Sequence, residues 1–394
     1  MQLKNINSSD SIAVIGAGAM GSGIAQVAAT AGHTVWLFDT RAHAVESALK
    51  ALAVTMDKLV AKQKISADTA QQIIARIKPA LDLKDLSDCA LIIEAIIEQV
   101  QVKQELFRNL ETVISENAVL ASNTSSLSIT AIAGACKNPE RVIGLHFFNP
   151  APLMPLVEII PALQTDTALP ALMKSLMLTW NKVPVLVKDT PGFIVNRVAR
   201  PFYGEALRIC EEGIADQPTI DAAMKKQGGF KMGPFELMDL IGNDINYTVT
   251  ETVWTQCYFD PRYRPSLIQK KMVESGRLGR KTGRGYYNYN ADAVQPVAAI
   301  DDALGNKIVN RILAMLINEA ADALYYGIAS KEDIDLAMTK GVNYPKGLLQ
   351  WADEWGIENV INELKSLSET YEEDRYRPSV LLKKMAAAHQ KFFS

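Results

Sequence analysis

Short apolar runs alternate with longer helix-like stretches in the first half of the chain. Residues 12–15, 34–38, 90–95, 119–122 and 142–147 have the length and the hydrophobicity of buried parallel strands. Helix-like segments lie between these runs. The pattern therefore predicts an α/β fold built on a doubly wound, mostly parallel sheet.

The gap between the second and third runs, residues 40–89, is longer than a single crossover helix requires. Its periodicity predicts two helices, residues 42–64 and 66–77, with Ser66 as the N-cap of the second. We expect a helical hairpin that projects from the sheet. Lys58, Lys62 and Lys64 lie toward its tip, either as a solvated charged face or as a contact for phosphate groups.

A glycine-rich turn, Gly16-Ala17-Gly18-Ala19-Met20-Gly21, follows the first run and leads into a helix-like segment. Such glycines allow a tight turn, admit a pyrophosphate to the backbone and let helix and strand pack closely. Asp39 ends the second run 18 residues after Gly21, where its carboxylate would bind an adenosine ribose and repel a 2′-phosphate. This context favours a Rossmann-type NAD site over an incidental turn, although Arg41 argues mildly against the choice of NAD over NADP.

His146 lies at the end of the predicted strand 142–147. Oxidation of an alcohol by NAD needs a base, and a positioned histidine is the usual one near neutral pH. Glu158 follows 12 residues later in a strand-like run, residues 156–160, which could return alongside and orient the imidazole. The alternative is a core histidine and an unrelated edge glutamate.

Longer motifs surround these residues. They are Gly144-Leu145-His146-Phe147-Phe148-Asn149-Pro150 with Leu156-Val157-Glu158, Ser122-Asn123-Thr124-Ser125-Ser126, and Asp189-Thr190-Pro191-Gly192-Phe193-Ile194-Val195-Asn196-Arg197. Together these motifs resemble the 3-hydroxyacyl-CoA dehydrogenase family. The resemblance implies NAD-dependent oxidation of an L-3-hydroxyacyl-CoA to the 3-ketoacyl-CoA.

The same resemblance implies a role for each matching residue. His146 would be the general base and Glu158 its partner, while Ser125 and Asn196 would donate hydrogen bonds to the substrate oxygens. Lys58 is not part of these motifs; its contact with the phosphates of coenzyme A is the functional interpretation of the charged hairpin tip. The implied cofactor contacts are Gly16, Gly18, Ala19, Met20, Gly21, Asp39, Glu98, Lys103 and Asn149.

Two other classes of function stay open at this point. A non-catalytic NAD-binding protein could share the fold, because fold does not fix function. A different oxidoreductase of similar plan, such as a sugar-acid dehydrogenase, would not need the paired histidine and glutamate. Within the resembling family, a short-chain 3-hydroxybutyryl-CoA dehydrogenase is the alternative to a longer substrate.

Pro191-Gly192 interrupts the chain before a predicted long helix, residues 193–212, which places a domain boundary near residue 190. Arg200 lies four residues after Asn196, so both side chains would share one face of this helix. The segment 196–201 resembles the phenylacetate-degradation branch of the family, whose substrate is 3-hydroxyadipyl-CoA. We therefore expect Arg200 to bind a distal carboxylate, with a surface salt bridge to Glu205 or Glu236 as the alternative.

The second half of the chain repeats itself with a shift of 114 residues. Asn196-Arg197 recurs as Asn310-Arg311, and Glu205-Ala206 recurs as Glu319-Ala320. We predict an NAD-binding domain, residues 1–189, followed by two tandem all-helical domains, residues 190–296 and 297–394. No glycine turn or paired histidine and glutamate precedes the second copy, which predicts a structural role for it.

Composition narrows the partners. The 394 residues include 41 basic and 44 acidic ones, so no charge imbalance points to nucleic acid or to an anionic membrane. The 4 cysteines and 4 histidines are dispersed, which argues against a metal site. No signal peptide or membrane-spanning run is evident. We expect a cytoplasmic enzyme that binds an acyl-CoA substrate and forms a homodimer.

Overall fold

The computed structural model describes residues 5–294, 296–299 and 301–393. It divides into two compact units, Met1–Thr190 and Pro191–Ser394. In the part of the chain that is described, no helix has both the length and the apolar character needed to span a membrane.

The first unit contains an eight-stranded sheet with the order β3-β2-β1-β4-β5-β6-β7-β8. Every neighbouring pair is parallel except β6 and β7. The strands are β1 (Ile12–Ile15), β2 (Val35–Phe38), β3 (Ile77–Pro79), β4 (Leu91–Glu94), β5 (Val119–Ser122), β6 (Val142–Phe147), β7 (Leu156–Pro161) and β8 (Val183–Leu186). The helices of this unit are α1 (Ala19–Thr30), α2 (Ala44–Ala61), α3 (Ala67–Arg76), α4 (Val100–Leu110), α5 (Ile129–Ala133) and α6 (Leu169–Thr179). The predicted doubly wound, mostly parallel sheet is confirmed.

The two strands that the sequence pattern missed are the two edges of the sheet. β3 has three residues and β8 has four, and each contains a proline, Pro79 or Pro184. Proline cannot donate to a strand ladder, so sheets accept it mainly at their edges. Neither segment therefore has the uninterrupted apolar run by which the central strands were predicted.

The predicted helical hairpin is present as α2 and α3, and Ser66 caps α3 by accepting a hydrogen bond from the Thr69 amide. It does not simply project from the sheet. Leu52, Met56 and Ile73 are buried in the hydrophobic core shared with α1 and β2, so the hairpin packs along one apolar face.

The second unit is all-helical, as predicted. Its helices are α7 (Val195–Val198), α8 (Arg200–Glu211), α9 (Gln217–Lys226), α10 (Pro234–Ile241), α11 (Asn243–Gln256), α12 (Leu267–Glu274), α13 (Asp302–Tyr325), α14 (Lys331–Gly341), α15 (Leu348–Trp355), α16 (Ile357–Tyr371) and α17 (Val380–Ala387). The boundary predicted between residues 296 and 297 remains a prediction, and residues 295 and 300 beside it lie outside the described residues.

The prediction of one helix over residues 193–212 is wrong. α7 ends at Val198 and α8 begins at Arg200, with Pro201 in the first turn of α8. Pro201 has no amide hydrogen to donate to the carbonyl four residues earlier, and its ring clashes there. The helical register from Asn196 to Arg200 is therefore broken, which removes the argument that the two side chains share one face.

Inside this unit, each sequence copy forms ion pairs with the other. Arg197 of the first copy binds Glu319 of the second at 2.7 Å, and Arg311 of the second binds Glu205 of the first at 2.9 Å. Tyr263 and Tyr376, which also correspond, donate to Glu319 and Glu205 respectively. α8 packs against α13, which spans its counterpart in the repeat. Such reciprocity is typical of a two-fold related contact.

Candidate active site

Register places His146 and Glu158 directly opposite each other on the antiparallel strands β6 and β7. The imidazole Nδ1 lies 2.7 Å from Glu158 Oε2, and both side chains are buried. A carboxylate that accepts the Nδ1 proton leaves Nε2 with a lone pair, which is the state needed to take a proton from an alcohol. The expected pairing of these two side chains is thus present.

The glycine turn leaves the beginning of α1 open to a phosphate. Gly16 has a φ of +104°, and a Cβ there would lie 2.5 Å from the Ala95 carbonyl oxygen. A Cβ on Gly21 would lie 1.7 Å from the Gly16 oxygen, so only glycine permits this contact. Gly18 caps α1 without a side-chain hydrogen bond, and apart from its chain neighbours no described atom lies within 4 Å of the position that a Cβ would take. A helix N-terminus with open space beside its first residues fits the pyrophosphate of NAD, which the backbone amides of such a terminus bind.

Asp39 is tied to the glycine turn and to Arg41. Its carboxylate accepts hydrogen bonds from the Ala17 amide at 2.8 Å and from Arg41 Nη2 at 2.9 Å. The hydrogen bonds from the Arg41 side chain lower the pKa of Asp39 to about 2. The Asp39 carboxylate is therefore charged and already placed at the end of β2.

Lys103 lies inside the protein between two carboxylates. Its ammonium is 2.6 Å from Glu94 Oε1 and 3.3 Å from Glu98 Oε2, and the lysine side chain is 1% exposed. Ser122 donates to the other Glu94 oxygen at 2.6 Å. A direct cofactor contact by Lys103 stays a prediction, whereas its ion pair with Glu98 is a feature of this structure.

Glu98 organises the serine turn that follows β5. Its Oε1 accepts hydrogen bonds from the Thr124 hydroxyl at 2.6 Å and from the Ser125 amide at 2.9 Å. Burial would raise the pKa of Glu98, but the Lys103 charge and these donors outweigh burial and lower it. Ser125 is thus fixed at the carboxyl end of the parallel strands, where such sheets bind ligands.

Two positioning residues were missed by the sequence analysis. Asn123 Oδ1 accepts a hydrogen bond from the Phe147 amide at 2.8 Å, which ties the serine turn to the strand of His146. Lys182 is buried and donates to the carbonyl oxygens of Ala151 at 2.5 Å and Met154 at 2.9 Å. These carbonyls belong to the turn between β6 and β7. Only the polarity of Lys182 beside an apolar run could have drawn attention to it.

The other predicted site residues lie elsewhere. Lys58 is exposed in the last turn of α2, and Asn149 precedes Pro150 in the turn between β6 and β7. Asn196 lies in α7 and Arg200 begins α8, both in the helical unit. The alternative salt bridges of Arg200 are wrong, because Glu205 pairs with Arg208 and Arg311, and Glu236 pairs with Lys225.

Comparisons with known proteins now decide the family. The 3-hydroxyacyl-CoA dehydrogenase NAD binding domain matches residues 11–190, and the C-terminal domain of the same family matches residues 192–289 and 308–391. The chain belongs to the 3-hydroxyacyl-CoA dehydrogenase family. It is accordingly an NAD-dependent oxidoreductase of 3-hydroxyacyl-CoA, and the non-catalytic alternative is set aside.

Individual relatives within this family differ in length and in the substrate they are named for. The 3-hydroxyadipyl-CoA dehydrogenase of Escherichia coli is 38% identical, over 95% of this chain and 97% of that protein. The 3-hydroxybutyryl-CoA dehydrogenase of Clostridioides difficile is 42% identical but covers 71% of this chain. A crystal structure of 3-hydroxybutyryl-CoA dehydrogenase from E. coli K12 superposes with a TM-score of 0.92, covering 97% of this chain and 99% of that one, at 38% identity.

Among the described residues, no cluster of three or more histidine, cysteine, aspartate or glutamate side chains could hold a metal ion.

Proposed function

We propose that His146 is the general base of the reaction and that Glu158 orients it. Bound NAD would accept the hydride from C3 of the substrate. His146 Nε2 takes the hydroxyl proton, and the electron pair of the O–H bond forms the carbonyl of the 3-ketoacyl-CoA. The observation that supports this proposal most strongly is the 2.7 Å contact between His146 and a buried carboxylate.

Replacing the base tests the proposal. His146→Gln should lower kcat by about 10²–10⁴-fold, the usual effect of losing a positioned base, while the Kd for NADH changes little. Glu158→Gln should lower kcat by a similar or smaller factor, because the imidazolium loses its counter-charge. Near-normal turnover of the His146 variant with acetoacetyl-CoA and NADH would refute the assignment.

We further propose that Ser125 and Asn196 donate hydrogen bonds to the substrate oxygen on which charge develops. Removal of one preorganised donor of this kind typically costs about 2.7–4 kcal/mol of transition-state stabilisation. For Ser125, support comes from its fixed position beside Glu98. Ser125→Ala should lower kcat by a larger factor than it changes KM. A change in KM alone would contradict this role.

For the acyl group we propose a dicarboxylic thioester, 3-hydroxyadipyl-CoA. The relative named for this substrate extends over both helical copies, whereas the C. difficile 3-hydroxybutyryl-CoA dehydrogenase covers 71% of the chain. The second candidate is the shorter 3-hydroxybutyryl-CoA, because the similar E. coli crystal structure is named for a dehydrogenase of that substrate. A kcat/KM at least tenfold higher for 3-hydroxyadipyl-CoA would support the proposal, and the reverse order would replace it.

We also propose a cytoplasmic location. The four cysteines are free thiols, as in proteins of reducing compartments. Fractionation of cells would test this location.

The homodimer remains a prediction, and light scattering of the purified chain would test it.

A further inference from the structure

Arg200 is a buried cation without a carboxylate partner among the described residues. It is 6% exposed, and Nη1 donates to Thr250 Oγ1 at 3.1 Å. The guanidinium carbon lies 4.9 Å from the centre of the Tyr203 ring. Arginine cannot lose its proton inside a protein, so the charge has to be balanced or its burial is costly.

Other buried arginines of the same helical unit are balanced by acids. Arg262 contacts Glu319 and Asp322, and Arg311 contacts Glu205 and Glu212. Arg208 lies 3.5 Å from Glu205. Among the described residues, Arg200 instead contacts the neutral Thr250 and the aromatic face of Tyr203, and each of these stabilises a cation less than an anion does.

A small cavity lies beside Arg200. Its volume is about 10 Å³, and its walls include Arg200, Tyr203, Thr250, Arg262, Arg264 and Gln269. None of the residues lining the cavity is an aspartate or a glutamate. Such a volume admits one particle about the size of a water molecule.

Buried polar atoms of the lining residues lack partners among the described residues. Two of them, Arg200 Nε and Arg262 Nε, are donors on charged groups. The third, Gln269 Oε1, is an acceptor, because the NH₂ group of this amide already donates to Asn246 Oδ1 at 2.7 Å. Within the described part of the chain, the cavity thus combines two donors that lack an acceptor with an Arg200 charge that lacks a carboxylate counter-ion.

We propose that this cavity binds one monatomic monovalent anion, such as chloride, as the counter-ion of Arg200. A water molecule would satisfy hydrogen bonds but would leave the charge uncompensated. A carboxylate would also compensate the charge, but it has three heavy atoms and needs more space than a monatomic ion. The site lies wholly within the helical unit and does not depend on the reaction proposed for His146.

Bromide, which replaces chloride and scatters anomalously, tests the site directly. Crystals of the full chain soaked in sodium bromide should show an anomalous peak beside the Arg200 guanidinium. Crystals of Arg200→Gln should show none there. A map of the wild-type protein without this peak would overturn the proposal.

Thermal unfolding gives a second readout in solution. At constant ionic strength, replacing gluconate by chloride should raise the Tm of the wild-type chain. The increase should be roughly 3 °C for each tenfold rise in chloride concentration above the Kd of the site for chloride. Arg200→Gln should lose this dependence, whereas Lys271→Met, which removes an exposed charge of the same unit, should keep it. Equal Tm values of the wild type in both salts would show that the cavity holds water, and would overturn the proposal.

The substrate is the competing source of an anion. If no halide binds and Arg200→Gln lowers kcat/KM for 3-hydroxyadipyl-CoA but not for 3-hydroxybutyryl-CoA, the distal carboxylate is the ligand and the halide site is refuted. Should Arg200→Gln fail to fold, the wild-type bromide map and chloride titration still decide. Neither of these uses turnover, so their outcome is separate from that of the proposed function.

Discussion

Asp39 and Arg41 have opposite influences on the choice between NAD and NADP. The carboxylate of Asp39 repels a 2′-phosphate, while the exposed guanidinium of Arg41, bound to the same carboxylate, attracts it. Asp39→Asn should therefore lower the ratio of kcat/KM for NAD to that for NADP by about tenfold or more. Arg41→Ala should raise the ratio. Assays with both dinucleotides measure it, and a change in the same direction for both variants would contradict this account.

For individual residues, the sequence predicted the site positions that follow from local patterns. Asp39 follows a strand at a fixed distance from the glycine turn, and His146 and Glu158 lie in two runs that can pair. The positioning roles of Asn123 and Lys182 were missed because their partners come from other strands and turns. Arg200 was assigned on a helical spacing that Pro201 interrupts, and one proline was enough to remove that argument.

Among the elements, the turn between β6 and β7 depends on a lysine from the segment before β8. Lys182→Met would remove both hydrogen bonds to Ala151 and Met154 and loosen the turn that carries Asn149. We expect kcat/KM for NAD to fall by roughly 10–100-fold, because misplacement of about 1 Å has effects of this size. Lys174→Met, an exposed lysine in α6, is the control. Unchanged kinetics of Lys182→Met would exclude a positioning role.

Lys182 should also affect how the free energy of unfolding depends on pH. Burial lowers the pKa of Lys182 from 10.5 to about 8. Between these values the unfolded chain binds more protons than the folded one, so this group makes stability rise as the pH increases. Lys182→Met should lack this contribution. Denaturant unfolding of both proteins across this range measures the difference, and parallel curves would disprove it.

The central elements of the sheet were predictable because each is an uninterrupted buried run. Val119–Ser122 and Val142–Phe147 occur in the structure with the predicted bounds. The edge strands and the break before α8 were not predictable in the same way. Each edge strand contains a proline and pairs with a strand distant in the sequence, whereas the break is caused by Pro201 in the first turn of α8.

Across the whole helical unit, Glu319 joins the two copies. It pairs with Arg197 and Arg262 and accepts a hydrogen bond from Tyr263. Glu319→Gln would leave two buried guanidinium groups short of negative charge, and loss of one partner of a buried pair typically costs about 3–5 kcal/mol. We expect a decrease of this size in the free energy of unfolding, measured with guanidinium chloride. Glu332→Gln, at an exposed position of α14, should have an effect within about 0.5 kcal/mol. Equal effects would contradict the role of Glu319.

The reciprocal ion pairs between the copies also bear on how the enzyme behaves on dilution. If two separate chains formed this contact, its occupancy would follow mass action and fall at low protein concentration. Here one polypeptide carries both halves, so each half meets the other at an effective concentration that dilution does not change. Specific activity should therefore stay constant as the enzyme is diluted from micromolar to subnanomolar concentration, with carrier protein present to prevent adsorption. A progressive loss that added enzyme restores would show that assembly between chains is required instead.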